Sequence, residues 1–290
     1  MKIALCLHGL ASGKNDRGVP VSIENSMSSI KGNLMSDYDV DVFYHTWSKD
    51  SEEYLNESYS PKGYEIEEQI NFDHPFKPDG EKSADFSFTP EVQVKMQSTY
   101  SRWYSLAKSI KLKKDYEKEN DMKYDFVFST RFDIAFYEKF INFESLDPNN
   151  FYVSNWWQNR YKFGYNDPWF FSGSDNMDTI AGLYGKMDEY LSSGSEYERY
   201  MMSLNEIGPM EPPSHDKRLS NHGLLRHHVK SNGITSMFLG LEYNTWSLVR
   251  KIPSGRNNPH YKNGFPLPLN EPIEESRGSK NLTGPVGAGW

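Results

Sequence analysis

An arginine and an aspartate two residues apart interrupt an otherwise apolar run. The stretch is YDFVFSTRFDIAF, residues 124 to 136, and the pair is Arg131 and Asp133. Strand alternation puts Phe126, Phe128, Thr130, Phe132 and Ile134 on one face and Val127, Ser129, Arg131 and Asp133 on the other, so the two charges point the same way. A carboxylate in this setting is costly unless it is paired, hydrogen-bonded or placed at the strand's open end towards a ligand or a metal. The residues alone leave two roles open: a structural Arg–Asp ion pair, or a functional pair that handles a phosphate and a cation.

A second candidate is the loop after the first apolar run, Leu10 to Pro20, rich in Gly, Ser, Asn and Asp. Backbone N–H groups beginning at Gly9, with Lys14 and Arg17, can meet a phosphate, or the segment is a plain strand-to-helix turn. GLASGKN is not a P-loop, because Gly9 and Gly13 bracket three residues rather than four and Asn15 follows Lys14 where a hydroxyl is required. The histidines His222, His227 and His228 do not have the i, i+4 spacing of a zinc-binding HExxH helix.

These residues need a scaffold. The chain has 290 residues, enough for one large α/β domain with a sizeable core. Its 32 basic and 40 acidic residues give a net charge of −8 with no concentrated basic stretch, which argues against general nucleic-acid binding. Cys6 is the one cysteine and lies in an apolar run, so neither disulfides nor a cysteine metal site is expected. The first run is too short for a signal-peptide core and no later segment is apolar enough to span a membrane, so a cytoplasmic, soluble protein is expected.

KIALCLHG reads as a strand ending at Gly9, Ser22 to Met35 as a helix, and DVDVFYHTW as a second strand; this order favours a parallel sheet with both faces covered. Residues 50 to 82 carry ten Asp or Glu against three Lys, and the region from about 50 to 90 reads as an exposed acidic insertion. Met96, Tyr100, Trp103, Ala107 and Ile110 mark one face of a helix ending in lysines. FYVSNWW is a further strand. Met177, Ile180, Tyr184, Met187 and Leu191 keep helical spacing, with Ser174 or Asp175 as cap. SNHGLLRHHVKSNGI predicts a helix ending at Gly233, then a strand from about Thr235 to Leu241. One domain over 1–251 follows, with an irregular tail over 252–290, rich in Pro, Gly, Asn and Ser.

YDFVFSTRFDIAF resembles the YDxVxRxRxD segment of bacterial and viral capsule or lipopolysaccharide-type glycosyltransferases with a GT-A-like fold. KIALCLHG resembles that family's first strand, VDVFYHTW its DVFxHxW strand, and MQSTYSRWYSLAKSIKLKKDYE the helix before the motif. PWFFSGSDNMDTIAGLY resembles the segment that presents acceptor-facing residues. The likeness covers most of residues 1 to 240. It implies a GT-A-like three-layer α/β/α sandwich with a mostly parallel sheet, and a glycosyltransferase that takes a nucleotide-sugar donor and a carbohydrate or other hydroxyl acceptor. Arg131-Phe132-Asp133 stands where the family has its DxD motif, so Asp133 would hold a divalent cation, Mn2+ or Mg2+, with His222 or His228 as an added ligand. The chain departs from the pattern by placing Arg131 at the first acid, where it can contact phosphate itself, and His8 where relatives often have serine.

The leaving group would be a nucleotide diphosphate, so the chemistry needs positive charge from a cation on Asp133, from Arg131, or from the loop of Gly9, Lys14 and Arg17. Trp156, Trp157, Tyr161, Tyr165 and Trp169 would form a stacking wall for the acceptor or else be core, and Asp167 is the expected acceptor base. Two other readings are a non-catalytic GT-A-like carbohydrate-binding module and a sugar transferase acting on modified bases of phage DNA.

Overall fold

The computed structural model describes residues 1–13, 23–72, 90–139, 141–154, 164–192, 194–205, 217–239 and 246–248, together with three two-residue strands beyond them. Its chain order begins β1 (Lys2–Gly9), α1 (Glu24–Ile30, continued by a wider turn over Lys31–Met35), β2 (Asp39–Thr46), α2 (Glu52–Tyr59) and β3 (Gly63–Ile66). The long helix α3 (Pro90–Glu119) follows, then β4 (Phe126–Arg131), β5 (Ile134–Phe136), β6 (Phe151–Ser154) and β7 (Trp169–Ser172). Helices α4 (Ser174–Ala181), α5 (Leu183–Leu191), α6 (Glu196–Asn205) and α7 (Asn221–Ser231) lead to β8 (Ser236–Leu239) and β9 (Trp246–Leu248). The short strands are β10 (Tyr261–Lys262), β11 (Phe265–Pro266) and β12 (Gly284–Pro285).

The central sheet runs β8-β6-β7-β4-β1-β2-β3, with β12 on the outer edge of β8. Within those seven strands only β7 is reversed, so the sheet is mostly parallel. Alternation along each strand sorts its side chains into two cores, as the pleat requires. Ala4, Cys6, Phe43, Val127, Val153 and Phe170 pack with α3, α4, α5 and α7. Leu5, Leu7, Val42, Tyr44, Phe126, Phe128 and Phe171 pack on the opposite face with α1, α2 and the β5–β9 ribbon. The molecule is therefore a three-layer α/β/α sandwich, as expected.

Three expectations need correction. The opening stretch is not one strand: β4 ends at Arg131, Phe132 and Asp133 make a turn, and β5 leaves the sheet to pair with β9. Its apolar face is nevertheless continuous, because Phe132, Ile134 and Phe136 stay in the core of Phe126 and Phe128. The acidic segment is not an insertion over its first part. Residues 50 to 72 hold α2 and the edge strand β3, with Leu55 and Tyr59 buried, and Glu65 and Glu67 of this segment pair with Lys108 of α3. Its remaining residues lie outside the described ones.

The helix over 174–191 breaks at Gly182, and its first half is capped by the backbone of Gly173 with no side-chain bond. Ser174 is occupied elsewhere: it donates to Glu117 and accepts from Lys113. Of the aromatic residues read as a stacking wall or else core, Tyr165 and Trp169 are core, 1% and 0% exposed, and Trp169 stacks on Phe128 at 5.7 Å. Trp156, Trp157 and Tyr161 lie outside the described residues, as does the 252–290 tail apart from its three short strands. No helix among the described residues is long and apolar enough to cross a membrane. Cys6 is core as expected, and burial pushes its thiol up to about 12.

Candidate functional site

From β1 the sheet is wound outward to β2 and β3, and β4 is then laid on the other side of β1. Such a reversal leaves a crevice beyond the carboxyl ends of the two strands, where ligands bind in open α/β sheets. β1 closes there with His8 and Gly9, and β4 with Arg131; His8 and Arg131 are partners in register. β7 runs the other way, so its entry is at the same edge, with Trp169 opposite Thr130. The segment before it carries Asp167.

Arg131, a quarter exposed at its side chain, donates to the Asp133 Oδ2 at 2.5 Å, and Asp133 is 2% exposed in the turn after β4. The ion pair anticipated from the sequence is present, and it sits at the open end of the strand rather than in the strand's interior. Asp167 is held from two sides. Its Oδ2 lies 3.0 Å from the Arg102 Nε, and Arg102 also donates to the Asp167 backbone carbonyl. Its Oδ1 lies 3.0 Å from the His222 Nδ1, which is also 2.7 Å from the Tyr165 carbonyl. The Nε contact is a charge pair rather than an aligned hydrogen bond.

The approach of this segment to α7 depends on Gly164, where a Cβ would lie 2.3 Å from the Cβ of His222. Burial alone would raise the Asp167 carboxyl, but Arg102 and His222 hold it well below the usual carboxylate range. For His222 burial works downward and Asp167 more than reverses it, raising the imidazole. Both directions describe one ionised pair. An aspartate with both oxygens committed is a poor proton acceptor, so the geometry gives Asp167 the task of fixing Arg102 and His222 rather than that of a base.

The loop after β1 is fastened by side chains from two other elements. Gly9, at φ 98°, donates its N–H to the Ser105 Oγ of α3 at 2.9 Å. The Ser48 Oγ accepts from Ala11 and Ser12. Ser105 is backed in turn by His45: the His45 Nδ1 lies 2.7 Å from the Ser105 Oγ, and its Nε2 2.9 Å from Glu67. With Glu67 accepting, Nε2 carries the proton and Nδ1 accepts from Ser105. Burial lowers His45 despite Glu67. Lys14 and Arg17 lie outside the described residues.

Of the expected site residues, Gly9, Arg131, Asp133, Asp167 and His222 come to the crevice. His228 is not in it: its Nε2 bonds the Thr179 carbonyl at 3.0 Å and its Nδ1 the Tyr190 hydroxyl at 2.9 Å, so both nitrogens are engaged between α4 and α5. Among the described residues no three His, Cys, Asp or Glu gather as a metal cluster.

Sequence reasoning missed Arg102, Ser105 and His45, and did not give His8 a role. A signal for the first two existed. Thr99, Arg102, Ser105, Ser109 and Lys113 recur every three or four residues along α3, a polar stripe beside the apolar one, and four of the five are at most 1% exposed. Comparison with protein-family models and with curated proteins finds no match for this chain.

Proposed function

We propose that this chain is a glycosyltransferase that moves a sugar from a nucleotide-diphosphate donor to a glycan or other hydroxyl acceptor. The observation that carries the reading is the meeting of His8, Arg131, Asp133, Arg102, Asp167 and His222 around the carboxyl ends of β1 and β4. Departure of a nucleotide diphosphate builds charge on its phosphate oxygens, and fixed cations in a partly closed crevice stabilise that charge without reorganising. Arg131 is the accessible cation, with Asp133 setting its orientation; Arg102 is set by Asp167 and reinforces the field from below. The resemblance of the β4 segment to RxD-bearing glycosyltransferases supports the same assignment.

A divalent cation fits this reading in one form. Mg2+ or Mn2+ is commonly held by one or two carboxylates, with substrate phosphates and water completing the shell, and Asp133 would supply the carboxylate. Its role would be to neutralise the diphosphate. His228 is engaged elsewhere, and the His222 Nδ1 is shared between Tyr165 and Asp167.

Thermal-shift titration with nucleotide-sugars, with and without manganese, tests the proposal, because a ligand of the native state raises its melting temperature. Asp133→Asn is expected to keep the fold, lose any manganese-dependent part of nucleotide binding and lower transfer by orders of magnitude. Arg131→Lys is expected to be milder than Arg131→Ala, since a point charge partly replaces the fork. A collapsed melting point in both Asp133→Asn and Arg131→Ala, with normal donor affinity in the folded remainder, would reduce the pair to a structural role. Absence of slow donor hydrolysis without acceptor, despite donor binding, would favour a carbohydrate-binding module.

A further inference from the structure

Two buried polar atoms in this crevice are satisfied by none of the described residues. His8 is 1% exposed and its Nε2 has no hydrogen-bond partner among them; the Oγ of Ser129, a fully buried residue, is in the same condition. The β1–β4 register sets His8 opposite Arg131 and Cys6 opposite Ser129. Cys6 and Val127 belong to the core on the α3 side, so alternation puts His8, Ser129 and Arg131 on that face, under the helix that carries Arg102 and Ser105. A buried donor left unmade costs its full desolvation, and natural proteins seldom leave two such atoms on neighbouring strands without use.

The surroundings indicate which ligand group would satisfy them. The groups whose charge reaches His8 are Arg102 from α3 and Arg131 from β4, opposed by Asp167 from the segment before β7, with His45 of β2 as the neighbouring titratable side chain. Burial and the two arginines hold the imidazole neutral, far below its ordinary value, so it presents an N–H rather than a second charge. A neutral donor flanked by two guanidiniums suits an anionic oxygen; a cationic group there would be repelled. Resting on the reading of the crevice as a diphosphate site, we infer that His8 is a ligand-binding residue whose Nε2–H donates to a phosphoryl oxygen, with the Ser129 hydroxyl as a second donor beside it.

The test titrates the full chain calorimetrically with ADP, GDP, CDP and UDP, and with inorganic pyrophosphate as a base-free arm. His8→Leu removes the donor, His8→Gln keeps a neutral N–H at similar reach, and Arg131→Ala is the control for the crevice itself. For the diphosphate that binds the wild-type chain, His8→Leu is expected to weaken affinity roughly tenfold or more, the usual size of a hydrogen bond to a charged group. His8→Gln is expected to stay within about threefold, and His8→Leu to melt no lower than wild type because an unmade buried donor is gone. Should His8→Leu fail to fold, Ser129→Ala carries the same question, with weaker diphosphate binding expected. Wild-type affinity in folded His8→Leu, alongside lost affinity in Arg131→Ala, overturns the role of His8 and leaves the crevice assignment standing. Failure of the wild-type chain to bind any of the five overturns both.

Discussion

Helix α3 serves a buried ionic cluster at each end of the sheet, and the two are built differently. Near its middle, Arg102 and Ser105 face the carboxyl ends of β1 and β4. Eleven residues on, about 16 Å along the axis at 1.5 Å per residue, Lys113 faces the amino ends. Lys113 is fully buried and donates to Glu117 at 3.0 Å, Ser174 at 2.6 Å and Asp178 at 2.7 Å. Glu117 also accepts from the Tyr124 backbone at the entry to β4. All three ammonium donors are used, so this cluster closes on itself. The carboxyl-edge cluster leaves Arg131 partly exposed and keeps the buried polar atoms of His8 and Ser129 without partners among the described residues. Charge burial by itself therefore does not mark a site; incomplete satisfaction at a place open to ligands does.

The largest effect expected from this contrast is at the amino edge. Lys113→Met takes the ammonium from the buried Glu117 and from the part-buried Asp178, which keeps Lys114, and should cost about 3 to 5 kcal/mol of stability, read from the urea midpoint at unchanged slope. Diphosphate binding by the folded fraction should be unaltered. A loss of binding without loss of stability would mean that the two clusters are one coupled unit, and the contrast would fail.

A smaller effect separates the histidines from the carboxylates. Burial lowers His8, His45, His227 and His228, aided at His8 by Arg102 and Arg131. For each, the unfolded chain binds a proton that the folded one refuses, so stability is full above the ordinary value near 6.5 and is lost as pH falls below it. His222, raised by Asp167, acts in the opposite sense, contributing below 6.5 and losing that contribution as pH rises through its folded value. Among the described histidines the balance is four against one, which predicts a melting temperature that falls between pH 7 and pH 5. His227→Phe, in a site where Tyr190, Tyr197 and Tyr200 lie 4.8, 5.2 and 5.6 Å away, should flatten that slope. An unchanged slope would leave His227 out of the acid response.

The fold was largely legible because the inner strands β1, β4, β6 and β7 each carry an apolar run and α3 a regular apolar stripe; alternation then fixes which side chains share a core. Arg131 and Asp133 were legible for the opposite reason, being charges where the pattern demands none. Their turn was not, since Phe132 and Ile134 keep the apolar rhythm across it and no Gly or Pro marks it. The α2–β3 region was misread because acidic content hides a short strand whose partner supplies the order. Arg102 escaped because an arginine beside Trp103 on a long helix looks solvated until the spacing from Thr99 to Lys113 is followed as a stripe of its own. Pairing of Asp167 with His222 joins positions 55 residues apart and had no local trace.

The smallest expected effect tests whether burial, and not the count of ion pairs, gives the Lys113 cluster its weight. Two residues earlier on the same helix, Lys111 pairs with Asp115 at the same i, i+4 spacing that joins Lys113 to Glu117. Both are ammonium–carboxylate pairs, with Asp in one and Glu in the other. Their surroundings differ: the Lys111 and Asp115 side chains are 68% and 50% exposed, against 0% and 6% for Lys113 and Glu117. Water already solvates both members of the outer pair and salt screens them, so Lys111→Ala should change stability by no more than about 0.5 kcal/mol. Alanine's helix propensity offsets part of even that. Urea denaturation at low and high salt reads the difference. If Lys111→Ala approached the loss expected of Lys113→Met, the helix would owe its stability to a general charge ladder along its length. The separation of a closed amino-edge cluster from an open carboxyl-edge site would then have no energetic basis.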